Sequence, residues 1–202
     1  MHKKGKLILV ILLLYSCNNV TKQTLTAKTL NDSIVKLTKD YTDSTKYIEA
    51  IALLRQAIKM DSSYLKSYSN KLFFEETSGR FDSASETLIK MLKLRPDSAE
   101  LYFKAGLYND IIGDTVKAQE YYRHSIPRYS ILIDTLNKNS QEKNNIQNMM
   151  AINIIMMGGE KMLHDYLKEN CKTKMDSIFM SAEIWGKTRE GILTDLRKKY
   201  IR

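Results

Sequence analysis

His164 and Cys171 stand seven residues apart, a spacing that puts two side chains on one face of a continuous helix. An imidazole beside a thiol can remove its proton and leave a thiolate nucleophile. Asn170-Cys171-Lys172-Thr173 reads as a helix end, however, and no acid stands ready to orient the imidazole. Glu160 and His164 are four apart and could supply two metal ligands. A closed zinc site takes four and a catalytic one three; no third follows, so a solvated helix face fits better. Met149, Met150, Met156, Met157 and Met162 carry soft thioethers of the kind that hold copper(I). Their spacing is near seven, which a buried helical stripe also gives, and methionine commonly fills gaps in cores. His124 reads as a packed or surface histidine. There is no phosphate-cradling glycine loop, no GxSxG elbow and no HExxH. The expectation is a chain with no catalytic residues, no metal and no cofactor, and with no small-molecule substrate.

Those candidates must sit on something, and the composition points to helices. Only two prolines and eight glycines occur in 202 residues, and no sustained period-2 alternation or Asn-Gly turn marks a strand. The first sixteen residues differ in kind. Lys3, Lys4 and Lys6 precede an unbroken apolar run over 7–14, and Ser16 precedes Cys17. A basic start, a short apolar core and a small residue before a cut read as a secretory signal. The run falls short of the ~20 residues of a spanning helix.

The end of that segment, Leu14-Tyr15-Ser16-Cys17, resembles the lipobox of bacterial lipoproteins, with Tyr15 bulkier than is usual. The resemblance implies cleavage after residue 16 and acylation of Cys17, whose buried methylenes would anchor the chain. Asn18 follows, rather than the aspartate that retains some such proteins in the inner membrane. The implied location is the bacterial cell envelope, at the outer membrane facing the periplasm. Residues 17–30 then form the acylated cysteine and a polar tether, and thirteen flexible residues span roughly 20 Å. With Cys17 acylated, Cys171 is left alone and no intrachain disulfide can form.

The net charge of +9 includes the three lysines of the signal, so the mature chain carries about +6. Such a balance could steer a chain to nucleic acid or anionic lipid. Export argues against nucleic acid. The densest cluster, Arg197-Lys198-Lys199, ends a predicted helix, where cations complement the helix dipole.

Organisation comes from a period. Ala50, Ala84 and Ala118 lie 34 residues apart, each at the same place in an amphipathic pattern. Ala50/Leu54, Ala84/Leu88 and Ala118/Tyr122 keep a spacing of four, so each pair stacks on one helix face. Gly79 and Gly113 repeat the same interval just ahead of the second and third of these helices, as turn glycines between antiparallel helices would. Pro96 and Asp61-Ser62-Ser63 mark the other boundaries.

These residues resemble the tetratricopeptide repeat (TPR), a 34-residue helix–turn–helix. The third repeat matches best, with Tyr102, Ala105, Gly106, Gly113, Ala118 and Tyr122 in place. In the second, Leu72 stands where a small residue is usual and Glu75 where an aromatic is. The implied fold is all-α, a TPR-like α-solenoid of three to four helical hairpins with C-terminal capping helices. Residues 31–130 hold repeats one to three. Residues 131–170 hold an insertion of about eleven residues and a degenerate fourth repeat, with Ala151 at its small position and Gly158-Gly159 at its turn. Residues 171–202 cover the open end.

The resemblance also implies a partner-binding groove lined by first helices. Carried over position by position, it falls on Lys66, Ser69, Phe73 and Glu76, then Glu100, Phe103, Leu107 and Asp110, then Asn145, Asn148, Ile152 and Ile155. Phe73, Phe103 and Leu107 would offer apolar anchors, unless a neighbouring element covers them. The function implied is protein or peptide binding at the membrane, as an envelope adaptor or assembly factor. A toxin-neutralising immunity protein and, if His164 and Cys171 met in a pocket, an envelope hydrolase stand as alternatives.

Overall fold

The structure is a computed structural model that describes residues 26–37, 44–137, 140–170 and 186–200. The signal segment, Cys17, most of the tether, Cys171 and the first part of the C-terminal stretch lie outside these residues. The described elements are helices: α1 (Ala27–Leu37), α2 (Ser44–Met60), α3 (Leu65–Thr77), α4 (Phe81–Leu94), α5 (Ala99–Ile111), α6 (Thr115–Thr135), α7 (Gln141–Met156), α8 (Glu160–Asn170) and α9 (Arg189–Tyr200). From α1 to α8 each helix packs on its successor in chain order. The pairs α1–α2, α3–α4, α5–α6 and α7–α8 are the four hairpins of a TPR-like α-solenoid. No helix among the described residues is long and apolar enough to cross a membrane.

The turns carry the period in their backbone bonds. Gly79 and Gly113 have φ of 66° and 91°, in the left-handed region that favours glycine. Around them the same bonds recur: Arg80 N donates to Glu75 O at 2.8 Å, and Asp114 N to Asn109 O at 2.8 Å. These six-to-one bonds satisfy carbonyls that a helix end leaves bare. Gly158, with φ of 72°, repeats the arrangement, since Gly159 N donates to Ile154 O at 3.1 Å. The interval from Gly113 to Gly158 exceeds 34 by eleven residues, the predicted insertion. Much of it is absorbed by α6, which runs through Pro127 to Thr135. Proline removes a backbone donor there, but Tyr129 and Ile133 beyond it are buried and hold the extra turns down.

Three helix starts carry side-chain caps, while α3 and α4 begin without one. Ser98, Asp114 and Ser140 each accept from the backbone N–H three residues on, at 3.3, 3.1 and 3.1 Å. A corresponding box corrects the tether. Thr26 and Thr29 exchange backbone-to-hydroxyl bonds of 2.8 and 3.1 Å, which starts α1 at Ala27. Residues 27–30 therefore belong to the first hairpin, where Ala27 and Ile34 are buried.

Ala50, Ala84 and Ala118 are all buried, at 3%, 0% and 0% exposure. They are the close-contact points of their hairpins. In the third hairpin, a Cβ placed on Gly106 would lie 2.3 Å from the Tyr122 ring, so the helices approach because Gly106 has none. The second hairpin solves the same contact with sizes exchanged: Leu72 and Leu88, at the corresponding positions, are both buried. Leu72 thus departs from the pattern without breaking it. Glu75, the other departure, is fully buried between α3 and α4. It pairs with Lys71, and Thr87 accepts from Lys71 Nζ at 2.6 Å while donating to Glu75 Oε2 at 2.7 Å.

The main core cluster runs from α3 through α7 and takes in Leu193 of α9. A smaller one joins α1 and α2 to Phe74, and a third joins α7 to α8. Met156 is fully buried, and Met149, Met150 and Met157 pack on the main cluster, so most of the methionine stretch is core; Met162 is exposed.

Candidate functional site: the cleft between the first helices

Between α3 and α5 the array opens into a cleft of about 430 Å³. Ser69, Phe73 and Glu76 of α3 form one wall, Glu100 and Lys104 of α5 the other, and Arg95 and Ser98 close one end. Leu65, Leu72, Met91 and Leu101 supply its apolar lining. Four predicted groove residues, Ser69, Phe73, Glu76 and Glu100, are therefore brought together. Phe73 is 44% exposed, its ring edge-on to the buried Phe74 at 5.3 Å. A large apolar ring held in place yet open to solvent is the kind of group that anchors a partner.

The charge around Phe73 is organised by Lys104. Its Nζ lies 3.7 Å from Glu76 Oε1 and 3.6 Å from Glu100 Oε1, so one cation links the two walls. Part-exposed pairs of this sort are worth about 0–1 kcal/mol each.

The other predicted residues separate. Lys66 is exposed and faces α1, 3.8 Å from Asp32. Asn145 is exposed, Asn148 and Ile152 are half-buried and Ile155 is buried; none of them lines this cleft. Leu107 is half-buried against the main core. Phe103 and Asp110 correct the expectation. Phe103 is 3% exposed, with its ring centroid 6.0 Å from that of Tyr122, and is a core residue. Asp110 is 1% exposed. Its Oδ2 accepts from the Tyr122 hydroxyl at 2.9 Å, and its Oδ1 accepts from Arg189 of α9. Burial pushes the Tyr122 phenol far above its ordinary range, and the neighbouring Asp110 pushes it further. The phenol stays protonated and donates.

The same contact shows where α9 lies. The described part of the C-terminal stretch, α9, docks on α5, with Leu193 buried, Ile192 and Leu196 packed on the main core, and Ile192 also reaching the α7–α8 cluster; the first part of that stretch lies outside the described residues. Arg197 Nη2 adds a bond of 3.4 Å to the Asp110 carbonyl. Sequence patterning alone offered one cue to this, the i, i+4, i+7 spacing of Arg189, Leu193 and Leu196.

A second cleft, of about 580 Å³, opens between the start of α5, the extended end of α6 and α7. Ile131 and Leu132, both exposed, and Met149 line it, and Glu100 and Arg95 border both clefts. Arg128 stands at its edge, 4.3 Å above the Tyr102 ring and bonded to Pro96 O at 3.0 Å. It is a product of the eleven-residue insertion.

Of the residues first considered for chemistry, His164 is exposed on α8 and Cys171 lies outside the described residues. His124 is a surface histidine, 5.5 Å from the Tyr102 ring. No group of three or more His, Cys, Asp or Glu among the described residues is placed to hold a metal ion.

Four stacked hairpins with an open, mixed-charge cleft between first helices define a TPR-like α-solenoid. No protein-family model matches the chain, and no curated protein matches it. Among solved structures, one described as the crystal structure of MamA protein is similar over 73% of this chain and 75% of that one. The identity is 20% and the TM-score 0.48, so the fold assignment rests on the hairpins themselves.

Proposed function

We propose that this chain is a lipid-anchored interaction module of the bacterial cell envelope, an adaptor or assembly factor that holds a partner's peptide segment or surface. The observation that carries the reading is the cleft between α3 and α5, where Phe73 is exposed beside the Glu76–Lys104–Glu100 arrangement. An aromatic anchor with a polar rim supplies affinity and register together. The Leu14-Tyr15-Ser16-Cys17 pattern supports acylation at Cys17, and Asn18 supports an outer-membrane site facing the periplasm. Acylation would confine the search for a partner to two dimensions.

Affinity capture from the organism's own envelope tests the binding claim. A protein partner retained by the full-length chain and lost with Phe73→Ala supports it; equal retention by both, or nothing above background, overturns it. Metabolic labelling with a fatty-acid analogue tests the anchor: label is expected on the wild type and not on Cys17→Ala.

A further inference from the structure

Asp110 is a fully buried carboxylate whose ionic partner among the described residues, Arg189, belongs to a helix 79 residues further along the chain. The carboxylate itself is fixed: it sits near the end of α5, and Tyr122 of α6 holds its Oδ2 at 2.9 Å. Arg189 is not fixed in the same way. Its side chain is 31% exposed, and its Nε is buried with no hydrogen-bond partner. A buried unpaired donor is a sign of imperfect fit. Among the described side chains, α9 otherwise contributes the buried Leu193, the partly buried Ile192 and Leu196, and Arg197, which bonds the Asp110 carbonyl at 3.4 Å. Hairpin α5–α6 is the most extensively packed among the described residues.

If α9 leaves, Asp110 keeps the Tyr122 hydroxyl on Oδ2 and loses the guanidinium on Oδ1, which leaves that oxygen open to another cation. We propose that the face of α5 carrying Asp110 is a helix-binding site, and that α9 is its built-in competitor. The partner that displaces α9 is an amphipathic helix with an arginine followed at i+4 and i+7 by leucine-type residues. Arginine is required because a guanidinium reaches a recessed carboxylate with several donors in a fixed plane. Arg189, Leu193 and Leu196 are that pattern in this chain. The proposal deepens the interaction reading, on which it rests, and places a second contact on the array, separate from the Phe73 cleft.

The test uses the full-length chain and a fluorescent peptide of residues 186–202, so it needs no natural partner and its failure leaves the envelope capture experiment untouched. Leu193→Asp loosens the resident helix. Peptide affinity is expected to rise at least tenfold from wild type to Leu193→Asp. It is expected to disappear when the peptide's arginine at 189 is glutamate. Equal binding by both proteins, no binding by a folded Leu193→Asp, or indifference to the arginine overturns the proposal. Should Leu193→Asp fail to fold, hydrogen exchange on the wild type decides. Amides of α9 exchanging at least tenfold faster than those of α5 support exchangeability, and equal protection contradicts it.

Discussion

The ring of Tyr122 occupies the space that a side chain at position 106 would fill: a Cβ on Gly106 would lie 2.3, 2.5 and 2.9 Å from three of its atoms. The ring is held in place, because its hydroxyl is bonded to the buried Asp110 and it packs, tilted, against Phe103. One glycine therefore sets the spacing of α5 and α6, and that spacing fixes Asp110.

Gly106→Ala is expected to destabilise the chain. Alanine gains about 1 kcal/mol of helix propensity. Overpacking a closed core costs about 1–3 kcal/mol, and contacts this short belong at the upper end. The net loss expected in urea unfolding is about 1–2 kcal/mol.

Gly113 is required for a different reason. A Cβ there meets nothing within 4 Å, but φ is 91°. Gly113→Ala is expected to cost about 1 kcal/mol through backbone strain. Gly113→Asn should recover part of that loss, since asparagine tolerates left-handed conformations. Gly106→Asn should be worse than Gly106→Ala. Thermal melts of the four variants separate strain from clash.

The Lys71–Glu75 pair gives a third prediction. Removing one member of a buried ion pair costs about 3–5 kcal/mol, whereas replacing both by apolar residues is often neutral. Glu75→Leu and Lys71→Met are each expected to destabilise strongly, and the double variant to lie closer to wild type than either. The pair also has a pH signature. Burial lowers the Lys71 pKa below 10.5, against the pull of Glu75. Between the folded value and 10.5 the unfolded chain holds more protons, so this lysine makes stability rise with pH across that window. Lys71→Met should flatten the rise in urea unfolding measured over alkaline pH.

Asp114 gives the same sign of slope, but at acid pH. Lys117 donates to it through its side chain and its backbone, and the carboxyl is held below 3.8. Its contribution is present above the ordinary carboxylate range and is lost as pH falls through the lowered value. A carboxyl carbon NMR titration is expected to place its midpoint below 3.8, and Lys117→Met should move it upward.

The period made the hairpins legible because turn chemistry is local. Gly79, Gly113 and Gly158 each close a helix with bonds inside six residues. The insertion was legible as a break in that period. The groove was legible in part: Ser69, Phe73, Glu76 and Glu100 fall together because repeat position alone decides which side of a first helix they take. Phe103 is misplaced because it turns to Tyr122 of its own hairpin, and Asp110 because a distant element meets it. Asp110 meets Arg189 across 79 residues of sequence, and no local pattern encodes that approach. Glu75 read as a mismatch because its partner Thr87 lies on the next helix.

The central claim is that the cleft holding Phe73 meets a protein partner. A photo-crosslinking amino acid at position 73, compared with one at Val116, tests it most directly. Val116 is 79% exposed on α6, away from the cleft. In cells, a discrete crosslinked protein is predicted from position 73 and not from position 116. The same products from both positions, or none from position 73, would contradict the account.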